Sequence, residues 1–153
     1  MKKILVSACL LGYECRYDAK SKTCPKVLAL AEDKDTVLIP VCPEQLGGLP
    51  TPRVPSERQR TKDGETRSIT RPGAVLAKDG RDVTANYRKG AEIATEIARL
   101  NDIDMAILKT GSPSCGKDII YDGSFTGAKA KGDGVTTEML KKAGFKVLSD
   151  EEL

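Results

Sequence analysis

Three cysteines each follow a short apolar run, so thiol chemistry is the first chemistry that this sequence suggests. The runs are Lys3–Ala8, Val37–Val41 and Met105–Leu108, and the cysteines that follow them are Cys9, Cys42 and Cys115. Short apolar runs of this kind are typical of buried strands. Because the carboxyl ends of neighbouring parallel strands meet at one edge of a sheet, we expect the three thiols to converge there.

Three converging thiolates would form a soft metal site, since thiolates select zinc, Cu(I) or iron–sulfur clusters. Structural zinc usually takes its ligands from paired C-x2-C knuckles, and the sequence contains none. Three thiolates without a fourth match a cubane cluster with one open iron, which would act as a Lewis acid. The alternative is that these are ordinary small buried cysteines, although each lies in a turn-rich segment where a core residue is least expected.

The chain has five cysteines and no histidine. A Cys–His or Ser–His dyad and any His-containing metal site are therefore excluded within one chain. Proton transfer would use Glu, Asp, Lys, Tyr, a thiol or water.

Four residues near the cysteines are candidates for acid–base work or substrate binding. Glu44, in Cys-Pro-Glu, would lie beside the thiolates, or would instead cap a short helix. Ser112 and Ser114 would donate to a substrate or a cluster, or make ordinary loop hydrogen bonds. Arg53, in a proline-stiffened loop, would bind an anionic or carbonyl group, or be a solvated surface arginine.

The stretch Lys109–Asp118, KTGSPSCGKD, is close to a phosphate-binding loop. Such a loop needs free backbone N–H groups and a Ser or Thr after its lysine. Pro113 removes one N–H group and Asp118 stands where the hydroxyl residue should be. Nucleotide binding here is therefore disfavoured, and Cys115 becomes the important residue of the stretch.

Apolar strands alternate with helical patterns, which predicts an α/β fold. We expect a single Rossmann-like domain over residues 1–153, with a mostly parallel sheet, helices on both faces and a site at the carboxyl ends of the strands. The other expected elements are a helix over Ser21–Asp33, a hairpin of Ala74–Lys78 and Arg81–Thr84 around a turn at Asp79-Gly80, a helix with Thr84 as its N-cap that runs to about Leu100, strands Ile119–Tyr121 and Phe145–Leu148, and a helix between Gly134 and Gly144. The polar segment Ser56–Arg71 is expected to be an exposed loop.

The composition limits the classes of partner that we expect for this protein. Charged residues make up 31% of the chain, hydrophobic residues 39%, and the net charge is +3. The basic residues are spread along the chain, which argues against a nucleic-acid partner, and no apolar run is long enough to span a membrane. The apolar N-terminus is better interpreted as a strand than as a signal peptide. We expect a cytoplasmic protein that acts on a small molecule.

Four stretches together resemble a widespread bacterial family long labelled a domain of unknown function, which includes the iron–sulfur-dependent thiouracil desulfidase. They are VSACLLGYECRYDAKSK, VCPEQLGGLPTPR, AILKTGSPSCG and IYDGSFTG…GDGV. The resemblance runs from Met1 to about Leu148, and Ser56–Ile69 is its least characteristic part.

The resemblance implies an oxygen-sensitive [4Fe-4S] cluster held by Cys9, Cys42 and Cys115, whose open iron takes the sulfur of a thiolated pyrimidine. Water would then replace the sulfur without net redox chemistry, with Glu44 and Ser112 in acid–base roles. Cluster-assembly machinery is an implied partner.

Two alternatives stay open at this point. The first is a thiol-redox or sulfur-carrier protein that uses Cys9, Cys15 or Cys115 as a thiolate. The second is a non-catalytic cluster or zinc sensor with Cys15 as its fourth ligand. Neither Cys15 nor Cys24 is assigned a role by the desulfidase mechanism.

Overall fold

A computed structural model describes residues 1–59 and 73–153 of the chain. The strands in these residues are β1 (Lys2–Ser7), β2 (Thr36–Val41), β3 (Ser56–Arg58), β4 (Val75–Ala77), β5 (Met105–Leu108), β6 (Ile119–Tyr121), β7 (Lys129–Lys131) and β8 (Val147–Ser149). The α-helices are α1 (Pro25–Leu30), α2 (Pro43–Leu46), α3 (Thr84–Asn101) and α4 (Val135–Lys142), and short 3₁₀ helices cover Ala8–Leu11 and Asp150–Glu152. No helix within the described ranges is both long and apolar enough to cross a bilayer.

The central sheet has four parallel strands in the order β2-β1-β5-β8. Parallel neighbours require a crossover connection, and α1, α3 and α4 lie in the connections between successive strands of this sheet. Strand β1 is paired with β2 on one side and with β5 on the other. The expected α/β architecture with a parallel sheet is confirmed, and the carboxyl ends of β1, β2 and β5 lie side by side.

Both faces of the sheet are covered, as expected. Ile4 of β1 packs in one apolar cluster with Val27 of α1. Leu5, which points to the opposite face, packs in a second cluster with Ala98 of α3 and Leu140 of α4. Successive strand residues face opposite sides, so the unbroken apolar run in β1 serves two cores.

Three predicted boundaries differ from the structure. The helix expected over Ser21–Asp33 is only Pro25–Leu30, because the backbone N–H groups of Lys22 and Cys24 bond to the 3₁₀ helix Ala8–Leu11 instead. Thr84 begins α3 but does not cap it, since its hydroxyl accepts from the N–H of Val75. The last strand covers Val147–Ser149 rather than Phe145–Leu148.

The turn at Asp79-Gly80 is present, but its hairpin is not the expected one. The segment after the turn makes only an isolated bridge between Leu76 and Asp82. Strand β4 is paired with β3 in an antiparallel pair instead.

The polar segment Ser56–Arg71 is therefore not simply an exposed loop. Ser56–Arg58 forms β3, and Arg58 is buried. Its guanidinium donates to the carbonyls of Gly73 at 3.0 Å and Asp133 at 2.7 Å. It also forms an ion pair with Glu138 of α4. Internal partners explain how a charged residue can be buried here. Residues 60–71 of the predicted loop lie outside the described residues.

Helices α2 and α3 touch through their backbones. A Cβ atom on Gly90 would lie 1.9 Å from the carbonyl oxygen of Pro43, and one on Gly47 would lie 2.0 Å from that of Asn86. The Asn86 amide also donates to the carbonyl of Gly47 at 3.0 Å. This contact seats α2, the short helix that carries Glu44.

We predict that Gly90→Ala lowers the free energy of unfolding by about 1–3 kcal/mol, the usual cost of overpacking. In an open helix the same change would stabilise by roughly 0.5–1 kcal/mol. Chemical denaturation measures the difference. Lys89→Ala, at an exposed neighbouring position, is the control and should change stability by less than about 0.5 kcal/mol. A stabilised Gly90→Ala variant would contradict the close backbone contact.

Candidate functional site

A cleft of about 660 Å³ opens at the carboxyl ends of β1, β2 and β5. Four of the five cysteines line it, and we call it the thiol cleft: Cys9, Cys15, Cys42 and Cys115. Cys9 lies in the 3₁₀ helix after β1, Cys42 directly follows β2, and Cys115 lies in the loop after β5. All five cysteines are free thiols. The structure thus brings together the three cysteines that the strand pattern singles out, and Cys15 with them.

The loop that carries Cys115 is held by the start of α4. The N–H of Gly134 donates to the carbonyl of Gly116 at 2.8 Å, and the Thr137 hydroxyl donates to that of Cys115 at 2.8 Å. A Cβ atom on Gly134 would lie 2.4 Å from the carbonyl carbon of Ser114. Only glycine permits this approach, so the helix fixes the loop backbone.

Glu44 lies in the cleft between thiols and hydroxyls and is only 8% exposed. Its Oε1 accepts from the Ser114 hydroxyl at 2.5 Å and lies 3.4 Å from the Ser112 hydroxyl oxygen. Its Oε2 accepts from the Cys42 thiol at 3.6 Å. A buried carboxylate with these partners is placed to move protons beside the cysteines.

Arg53 lines the thiol cleft but is not a solvated surface arginine. Its side chain is 8% exposed, and it donates to the Cys15 carbonyl at 3.0 Å and to the Thr51 hydroxyl at 3.1 Å. Its Nη2 lies 4.0 Å from Oε2 of Glu44. The guanidinium therefore links its own loop to the segment around Cys15 and supplies positive charge next to Glu44.

The two serines of the Cys115 loop are placed differently. Ser112 lines the thiol cleft, whereas Ser114 is fully buried and is not part of the cleft wall. Direct contact between Ser114 and a substrate, which the sequence suggests, therefore does not follow from this placement. Its hydroxyl instead faces Glu44.

The environment of the cleft favours neutral thiols. Burial first, and then the charge of Glu44, raise the pKa of Cys9 to about 11, and the same two causes raise the pKa of Cys115. A hydrogen bond from Cys42 to the Cys15 side chain raises the pKa of Cys42 and lowers that of Cys15. A bound metal centre would supply the positive charge that buried thiolates need.

The arrangement of the thiols fits a cluster better than a single ion. In residues 1–59 and 73–153, no three Cys, His, Asp or Glu side chains converge closely enough to hold one metal ion. In an iron–sulfur cluster each thiolate binds a different iron, so the ligands need not meet at a point. The donor set and its spread around one cleft are compatible with a cluster held by Cys9, Cys42 and Cys115.

Sequence analysis missed two residues of this site. Ser7 accepts from the N–H of Lys109 at 2.9 Å and hydrogen-bonds to the Cys115 side chain. Tyr87 of α3 is buried against the cleft, where burial and then Glu44 raise the pKa of its phenol. A serine at the end of an apolar strand was a usable signal for Ser7, whereas Tyr87 looked like any residue on the apolar face of a helix.

Comparison with known proteins agrees with the cysteine pattern. A model of the 2-thiouracil desulfurase family matches residues 4–152. The chain belongs to this family. The uncharacterized protein YbbK of Bacillus subtilis (strain 168) is 41% identical to it over 150 residues, which cover 98% of this chain and 97% of YbbK.

A solved structure extends the comparison of this desulfurase-family chain to three dimensions. It is the [4Fe-4S]-dependent thiouracil desulfidase TudS, with a TM-score of 0.85 and 41% identity, and the match covers 100% of this chain and 93% of TudS. The resemblance to that family is therefore confirmed, as is the fold class. The family and this structural relative are enzymes of the thiouracil-desulfidase type.

We predict that Glu44→Gln lowers the pKa of Cys9 in the metal-free protein. The carboxylate disfavours a nearby thiolate, so neutralising it must shift the pKa of about 11 downwards, while burial, the larger cause, keeps the pKa above its ordinary value of 9.0. The pH dependence of Cys9 alkylation, resolved by peptide mass spectrometry, measures the shift. Glu151→Gln, on the same cleft wall, is the control and should leave the pKa of Cys9 unchanged. An unchanged pKa in Glu44→Gln would contradict the proximity of the two groups.

Proposed function

We propose that this chain catalyses the non-redox, iron–sulfur-cluster-dependent removal of sulfur from a thiolated pyrimidine of the thiouracil type. The observation that carries the proposal is one cleft that holds Cys9, Cys42 and Cys115 around the buried carboxylate of Glu44. Membership of the 2-thiouracil desulfurase family and the likeness to a [4Fe-4S]-dependent desulfidase support it. In the overall reaction C=S and water become C=O and hydrogen sulfide, so no oxidant or reductant is needed.

Cys9, Cys42 and Cys115 would hold a [4Fe-4S] cluster and leave one iron without a protein ligand. When bound, the cluster would supply a Lewis acid for the sulfur of the substrate, making the adjacent carbon more electrophilic. Free thiols that line one cleft and are kept neutral by burial match the donor set that such a cluster requires.

Glu44 would deprotonate the attacking water and then pass the proton to the ring nitrogen or the leaving sulfide. Its Oε2 makes no hydrogen bond to the serines, so this oxygen remains available for proton transfer in the cleft. Ser112, on the cleft wall, would orient the substrate or pass a proton on. Arg53 would donate to a substrate carbonyl and balance the charge of Glu44 across 4.0 Å.

The cellular location and the partners follow from the same chemistry. Five free cysteines suit a reducing compartment, and we infer a cytoplasmic protein. A chain that holds an iron–sulfur cluster would receive it from cluster-assembly proteins. The other partner would be a small thiolated base.

We predict that anaerobically reconstituted protein contains about four irons per chain and releases equal amounts of sulfide and uracil from 2-thiouracil. Alanine at Cys9, Cys42 or Cys115 should abolish iron binding and activity. Cys24→Ala, which is outside the thiol cleft, should keep both. Glu44→Gln should keep the iron and lower kcat by about 10²- to 10⁴-fold, the usual contribution of a general acid–base group. Full activity in iron-free protein would refute the proposal.

One observation favours a second candidate, a non-catalytic cluster protein with four thiolates. Cys15 lines the same cleft, and the Cys42 sulfur lies 3.6 Å from its carbonyl oxygen. The Cys15→Ala variant separates the two functions. The desulfidase proposal expects it to keep its iron and its activity, whereas the four-thiolate alternative expects the metal to be lost.

A further inference from the structure

Ser114 is the closer of the two hydroxyl partners of Glu44 although it cannot reach the cleft. Its hydroxyl lies 2.5 Å from Oε1 of Glu44, whereas the hydroxyl of Ser112 lies 3.4 Å away. The exposed fraction of Ser114 is 0%. A polar side chain that is fully removed from solvent and points at a candidate catalytic carboxylate calls for a specific role.

The hydrogen-bond pattern fixes the direction of both hydroxyl protons. Ser112 Oγ accepts from the backbone N–H groups of Ser114 and Cys115, both at 3.1 Å. Its two lone pairs are thereby used, and its own proton is free to donate to Ser114 Oγ at 2.9 Å. Ser114 Oγ then donates its proton to Oε1 of Glu44 at 2.5 Å and not to the sulfur of Cys115, which is farther away at 3.5 Å.

The backbone of Ser114 has little freedom. Its carbonyl accepts from the N–H groups of Thr136 at 2.9 Å and Thr137 at 3.2 Å, and the carbonyl of the preceding Pro113 accepts from Val135 at 2.9 Å. The first turn of α4 thus anchors two successive peptide groups. With the backbone fixed and solvent excluded, the hydroxyl keeps its place between Ser112 and Glu44.

We propose that Ser114 is a positioning residue that sets the orientation of the Glu44 carboxylate through two consecutive hydroxyl hydrogen bonds, from Ser112 to Ser114 and from Ser114 to Glu44. The inference rests on the acid–base role of Glu44 proposed above. It assigns the direct contact with that carboxylate to the buried serine rather than to the serine in the cleft.

The kinetic test compares Ser114→Ala and Ser114→Thr with the wild-type reconstituted enzyme acting on 2-thiouracil. We expect Ser114→Ala to lower kcat by about 10- to 100-fold, the cost of misplacing a catalytic group, with KM within about threefold and the iron content unchanged. Ser114→Thr retains the hydroxyl and should recover most of kcat. Ser124→Ala, which removes a hydroxyl from the turn between β6 and β7, is the matched control.

The split between kcat and KM separates the positioning of a catalytic carboxylate from a purely structural role, because a structural defect would lower the iron content or the stability and would not be rescued by threonine. A Ser114→Ala enzyme with wild-type kcat would overturn the inference while leaving the desulfidase proposal intact.

Urea unfolding needs no activity, so it tests the inference even if 2-thiouracil is not the substrate. In urea unfolding of the reconstituted protein, Ser114→Ala should lower the midpoint in the wild-type background, because a buried carboxylate loses its nearest donor. In a Glu44→Ala background the same change should have a much smaller effect. Equal effects in the two backgrounds would contradict the contact, whereas a wild-type enzyme that releases no sulfide would refute the proposed function alone.

Discussion

The parallel pairing of β1 with β2 on one side and β5 on the other is the constraint on which the rest of this structure depends. The carboxyl ends of three strands lie side by side only in this arrangement. Each strand is followed at once by a turn or loop that carries a cysteine: Cys9, Cys42 and Cys115. No metal motif with closely spaced ligands is needed, because the sheet brings together residues that are far apart in the chain.

A buried carboxylate among thiols creates an electrostatic problem that the surrounding chain resolves. Glu44 disfavours ionisation of Cys9 and Cys115, and burial acts in the same direction. Ser114 donates a hydrogen bond to the carboxylate, and Arg53 supplies positive charge at 4.0 Å. A cationic metal centre would reverse the preference of the thiols, so that the same cleft would hold neutral cysteines without a cofactor and thiolates with one.

Glycine at two helix contacts lets the backbones that carry the site residues approach closely. Gly90 lets α3 touch the backbone of α2, which carries Glu44, and Gly134 lets α4 touch the loop of Ser112–Gly116. Both contacts leave no room for a Cβ atom, so the backbones on either side are held at van der Waals distance. The carboxylate and the serines that bind it are thus positioned by different helices, and their 2.5 Å contact depends on both.

The sequence by itself determined the alternation of strands and helices, the carboxyl-end placement of three cysteines and the exclusion of histidine chemistry, because these depend on local apolar patterns and composition. The motifs around Cys9, Cys42 and Cys115 were also sufficient to place the chain in its family. Only the tertiary structure decided that Cys15 lines the cleft, that Ser114 is buried behind Ser112, and that Arg58 is buried in what looked like an exposed loop. Local pattern carries no information on these three, since the partners that bury and orient them come from distant segments of the chain.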